Sequence, residues 1–151
     1  MANTQAMCTS FKTEILSGIH ALGTTVIRAG TGADTIKAAL YLASATVNAA
    51  TTAYSVTGEV SGTGYSAGGV TATNATAPTS RGTTAYWTPS ASFTYTTVTL
   101  TTSFDCVLVY NSTQSNKAIS AHTFGAQTIT AGTFVLSMPT NDASNALIRI
   151  A

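Results

Sequence analysis

Beyond residue 34 the chain reads in twos. Thr35–Leu42, Thr83–Trp87, Ser92–Leu100, Phe104–Tyr110, Lys117–Phe124, Gln127–Ile129, Thr133–Met138 and Ala146–Ile150 are short runs rich in β-branched and aromatic residues, broken by Gly, Asn, Ser and Pro. Alternation at period two fits a strand with one face covered. Weaker extended segments are expected near 52–56 and 70–73, inside an Ala/Thr/Ser/Gly-dominated stretch from Ala43 to Thr84. Phe104, Cys106, Leu108 and Tyr110 share one face of their run and Val107 and Val109 the other, which predicts a central strand covered on both sides. Asn111–Asn116 reads as the turn into the next strand and Ala131-Gly132 as a tight hairpin tip. With no βαβ alternation and no exact repeat, the pattern predicts an all-β fold: a single β-sandwich or jelly-roll-like domain.

The N-terminus follows a different period. Met7, Phe11, Ile15, Ile19 and Leu22 recur at three- and four-residue spacing, which predicts one α-helix over about Asn3–Leu22 ahead of the β domain. Asn3 or Thr4 would cap it, and Gly23 would stop it. The expected division is a helix over 1–24 and a β domain over 25–151. The stripe either packs on the chain's own sheet or docks on a neighbouring subunit, so Met7, Phe11, Ile15 and Ile19 are the interface candidates.

Composition limits the function classes. Charged residues are 7% of the chain, against a globular average of about 25%. They form no run, and a net charge of +1 leaves no basic patch to displace phosphate counterions, which argues against nucleic-acid binding. A free monomer with so little charge has little colloidal protection, which favours a protein that works in an assembly. Met1–Gln5, without a cationic flank or an apolar stretch after it, is not expected to be a secretory signal, and no apolar run reaches the roughly 18 residues that span a membrane. Cys8 and Cys106 are expected to be reduced core thiols.

Titratable groups are few. His20 and His122 have no carboxylate nearby in sequence to orient them, and Glu14, Asp34, Glu59, Asp105 and Asp142 are widely separated. Two His and two Cys at unrelated spacings do not suggest a zinc site. The expectation is therefore no enzyme, no metal and no cofactor. The cluster Gly58-Glu59-Val60-Ser61-Gly62-Thr63-Gly64-Tyr65-Ser66-Ala67-Gly68-Gly69 lacks the Lys-Ser/Thr of a phosphate loop and the spacing of a dinucleotide site. It reads as a structural loop in which Gly58, Gly62, Gly64, Gly68 and Gly69 supply positive-φ turns. Tyr65 would anchor this loop, and Glu59 would accept backbone N–H bonds that fix it.

Tyr54–Gly69 resembles a recurring signature of small virion structural proteins of tailed bacteriophages. Lys37–Tyr41, Trp87–Ser92, Val107–Thr113, Ala146–Ile150 and Phe11-Lys12 with Gly18-Ile19-His20 are similar to further pieces, in order along most of the chain. The resemblance implies a β domain, a place in the virion after assembly in the host cytoplasm, and no catalytic residues. Within that class the leading expectation is a capsid-surface cement or decoration protein on the major capsid protein. A tail fibre, adaptor or other tail-associated subunit contacting tail or portal-proximal proteins is the alternative. In either setting a homo-oligomer is expected, a trimer first. A carbohydrate-binding module is the third reading, with Trp87, Tyr86, Tyr95 and Tyr65 as its aromatic candidates.

Overall fold

A computed structural model of the chain describes residues 2–16, 18–23, 33–74 and 76–151. Its elements run β1 (Ala6–Met7), α1 (Thr9–Leu16), β2 (Ile36–Leu42), β3 (Val70–Thr71), β4 (Thr79–Arg81), β5 (Thr84–Trp87), β6 (Phe93–Asn111), β7 (Lys117–Leu136) and β8 (Ile148–Ile150). They build two antiparallel sheets, one ordered β1-β7-β6-β2-β3 and the other β4-β5-β8. The domain is all-β and sandwich-like, as the alternation at period two predicts.

β6 and β7 dominate the larger sheet. They pair antiparallel from Asn111↔Lys117 at the connecting turn to Phe93↔Leu136 at the far end. The shorter runs expected over 92–138 are thus fused into two long strands, and Ala131-Gly132 is not a hairpin tip. The breaks in alternation are bulges. From Tyr95↔Phe134 to Val98↔Gly132, β6 spends an extra residue, and from there to Leu100↔Ile129 the extra residue is on β7. Thr97 (φ 54°) and Ala131 (φ 47°) lie at these irregularities in the left-handed region. A bulge uses turn-like backbone without ending the strand, so turn composition at Ala131-Gly132 was misleading. The turn at 112–116 does form: Asn111 Oδ1 accepts from the Thr113 and Gln114 amides, and Ser115 and Asn116 take positive φ.

The core lies on β2 and the inner half of β6. Cys106, Val107, Leu108, Val109 and Tyr110 are all buried, so this stretch is covered on both faces. Trp87 and Ile148 carry the smaller sheet into the same cluster, and Trp87 Nε1 donates to Asn74 Oδ1 and the Thr76 carbonyl, each at 3.2 Å. Cys8 and Cys106 are free and buried. Burial, with the Glu14 charge adding to it, pushes the Cys8 thiol up to about 11, and burial pushes Cys106 up to about 12, so neither is a ready nucleophile.

The N-terminal segment departs from the expected long helix. Ala6 and Met7 are extended and pair with Ala121 and Ser120 of β7. The helix begins only at Thr9 and closes at Gly18, not at Gly23. The Ile19 amide bonds the Glu14 carbonyl and the Gly18 amide that of Ile15, with Gly18 at φ 67°. This is a Schellman stop, and glycine is the residue that enters it without strain. The boundary expected at 24/25 falls outside the described residues.

Candidate functional site

The glycine loop closes on one carboxylate. Glu59 is 7% exposed, and its Oε1 accepts from Tyr65 Oη at 2.7 Å and the Gly68 amide at 2.7 Å. Its Oε2 accepts from Tyr54 Oη at 2.6 Å. Tyr65 Oη in turn accepts from the Leu40 amide of β2, and Tyr110 Oη donates to the Gly68 carbonyl. Tyr54 stacks on Tyr110 with centroids 4.7 Å apart. Tyr41 of β2 joins the group by donating from its Oη to the Ser55 carbonyl. Burial raises every phenol of this group; Tyr41 and Tyr110 reach about 12, and for Tyr65 and Tyr54 the hydrogen-bonded Glu59 carboxylate adds to it. The phenols remain protonated donors, and both carboxylate oxygens are occupied. The arrangement is a clasp that ties residues 54–68 to β2 and β6.

The glycines serve the clasp in two ways. Gly58, Gly64, Gly68 and Gly69 have positive φ, but Gly62 does not. At Gly62 the requirement is close approach: a Cβ would stand 2.1 Å from the Thr99 carbonyl oxygen of β6. Thr99 donates its amide to the Thr63 carbonyl at 2.9 Å, so this loop lies along the outer edge of β6.

A second buried polar group was not visible in the sequence. Glu14 Oε1 accepts from Lys117 Nζ at 2.6 Å, and Glu14 Oε2 lies 2.8 Å from His20 Nε2. His20 Nδ1 lies 3.1 Å from Asn111 Nδ2, which also donates to Asp34 Oδ2 at 2.8 Å. Because Asn111 Oδ1 already accepts two turn amides, its Nδ2 faces the ring and donates. His20 is thereby specified as the tautomer that donates from Nε2 to Glu14. Burial opposes the Glu14 charge, but the hydrogen bonds from Lys117 and His20 outweigh it and hold the carboxyl below its usual range. The sequence reading that no carboxylate orients His20 is corrected here: the Gly18 stop folds His20 back onto the helix that carries Glu14. Glu14, Gly18 and His20, four and two residues apart, were the available signal.

The interface candidates are dispersed. Phe11 is fully buried and meets His20 edge-on at 4.8 Å. Ile15 and Met7 pack partly buried against the same core, Met7 from a strand and not from the helix, and Ile19 lies beyond the helix stop. No single helical face presents the four residues together.

A cleft of about 720 Å³ lies between the β1/β7 margin of the larger sheet and the C-terminal segment of the smaller one. Ser120 and His122, two apart on one strand face, line it with Ser120 Oγ 2.9 Å from His122 Nε2. Among the described residues no carboxylate bonds His122, so the pair lacks the group that orients the base in a hydrolytic triad. Nor do three His, Cys, Asp or Glu side chains gather as metal ligands among the described residues. Burial drives His122 down to about 4 from 6.5. Its folded value lies below its unfolded one, so the stability it supports is complete above 6.5 and is lost as pH falls towards 4. Allowing for partial exposure, the loss is about 2 kcal/mol. Melting curves of wild type and His122→Gln across this window should show a steeper acid decline for wild type; parallel profiles would contradict the assignment.

Comparison with protein-family models, curated proteins and solved structures finds no match to this chain. The site must be read from its own chemistry.

Proposed function

We propose that this chain is a non-enzymatic structural subunit that acts by assembly, as a component of a tailed-phage virion. A capsid-surface cement or decoration role on the major capsid protein is the leading form, and a tail-associated subunit the alternative. The observation that carries the reading is the surface of the β6–β7 ribbon. Its far half exposes Thr94, Thr96, Thr97, Thr101, Thr102, Thr123, Thr128, Thr130 and Thr133, with no charged residue between Lys117 and Asp142. Such a face offers close-packing hydroxyls and no repulsion to a partner. The stretch that carries the family resemblance supports the same reading, because its glycines and Glu59 are used for internal closure. The sugar-binding alternative draws less support: Trp87 and Tyr95 are buried, and Tyr65 Oη is committed to Glu59.

Quantitative mass spectrometry of purified particles of the encoding phage tests this directly. Hundreds of copies per particle are expected for the capsid role and a few to some tens for the tail role. Absence of the chain from intact particles would overturn both.

A further inference from the structure

We infer that the outer edge of β7, from His122 to Leu136, is a strand-addition site for a second copy of this chain. The first rungs of that edge are covered: Ala118 donates to the Thr52 carbonyl, Cys8 to that of Ile119, and Met7 and Ala6 pair with Ser120 and Ala121. Beyond Ala121 no strand or bridge forms on it among the described residues. At about 3.4 Å per residue this leaves an open edge of roughly 50 Å.

The other edges are managed. β1 and β3 are two residues long, and β4 and β8 three, carrying Arg81 and Arg149. The exposed side of β6 is closed at Thr99 by the glycine loop. Short length, charge and loop cover are among the means by which soluble proteins prevent edge pairing, and among the described residues the β7 edge has none of these three, bulges between Thr123 and Gln127 and between Ile129 and Gly132 being its interruptions. Its only proline neighbour, Pro139, lies past its end.

The row of apolar side chains identifies the occupant. On β6, Phe93, Tyr95, Val98, Leu100 and Phe104 are at most 3% exposed, whereas Phe124, Ile129, Phe134 and Leu136 of β7 are only partly buried. The apolar layer therefore stops short at the open edge. A copy placed antiparallel across a two-fold axis brings the same half-covered row and the same stretch of strand without a neighbouring strand. It brings no like charge opposite, because the segment has none. This pairing rests on the assembly reading above and deepens it. It builds a two-fold dimer rather than the trimer expected from the sequence.

Sedimentation of the full chain at about 100 µM, a concentration that detects micromolar association, is the test. Wild type should be dimeric. Thr128→Lys with Thr130→Lys should be monomeric, with an unchanged far-ultraviolet spectrum and melting point in dilute solution. A nitroxide on Thr128→Cys, near the middle of the edge, should report a pair distance below about 25 Å. Cys8 and Cys106 are buried and stay unlabelled in the folded protein. That label decides the matter even if the lysine variant fails to fold. A monomeric wild type, a lysine variant that still dimerises, or a longer label distance would overturn the inference. None of these results bears on incorporation into particles, which is scored separately by copy number.

Discussion

Replacing Glu59 by Ala is expected to lower stability by about 3–5 kcal/mol, a fall of roughly 6–20 °C in Tm for a chain of this length. Three donors converge on this carboxylate, from Tyr54, Tyr65 and Gly68. Hydrogen bonds to a charged acceptor contribute about 1.5–3 kcal/mol each, and removing the acceptor leaves buried donors unpaired. The half-buried Tyr54 can turn to water, which keeps the loss below the sum of three. Glu59→Gln should cost less, about 1–2 kcal/mol, because one oxygen remains and the Tyr54 hydroxyl can accept from the new amide. Urea denaturation of the three proteins measures the series. A Glu59→Ala variant within about 0.5 kcal/mol of wild type would show that the clasp does not hold the loop.

Gly69→Ala should leave little or no folded protein, whereas Gly82→Ala should fold with a modest loss. Both glycines have positive φ, 69° and 62°. A Cβ at Gly69 would lie 1.7 Å from the Ala38 carbonyl oxygen and 2.8 Å from Ala39 Cα, both backbone atoms of β2. At Gly82 it meets nothing within 4 Å. The left-handed conformation alone costs about 1–2 kcal/mol, so the Gly82 variant measures that cost and the Gly69 variant adds a clash that only movement of β2 can relieve. Because β2 is hydrogen-bonded to β6 along its length, such movement breaks the centre of the sheet. Soluble yield and melting temperature distinguish the two. Equal, mild losses would mean the loop stands farther from β2 than the structure places it.

These two positions show what kind of information the sequence carried. That residues 58–69 form a structural loop with Glu59 and Tyr65 at its centre was legible, because glycine density and a lone carboxylate in a charge-poor chain are local facts. Which glycine serves which purpose was not. Gly62 looks like a positive-φ residue in sequence, yet it is required by the Thr99 carbonyl, 37 positions further on.

The helix and the hairpin follow the same division. The stripe from Met7 to Leu22 has a helical period, but Met7 pairs with Ser120 of β7 instead, and Gly18 offers an earlier stop than Gly23. The break at Ala131-Gly132 looks like a strand end, and in the folded chain the facing strands absorb it as a bulge, whereas the bulge at Thr97 falls inside a run, Ser92–Leu100, that reads as unbroken. Local periodicity and side-chain volume determined by themselves that this protein is all-β and that Phe104–Tyr110 lies at its centre. Only the tertiary structure decided that Glu14, His20, Asn111 and Asp34 meet, that among the described residues no strand pairs with the outer side of β7 beyond Ala121, and how far β6 and β7 extend. Those outcomes depend on groups up to 103 residues apart being brought within hydrogen-bond reach, and a one-dimensional period has no register for such distances.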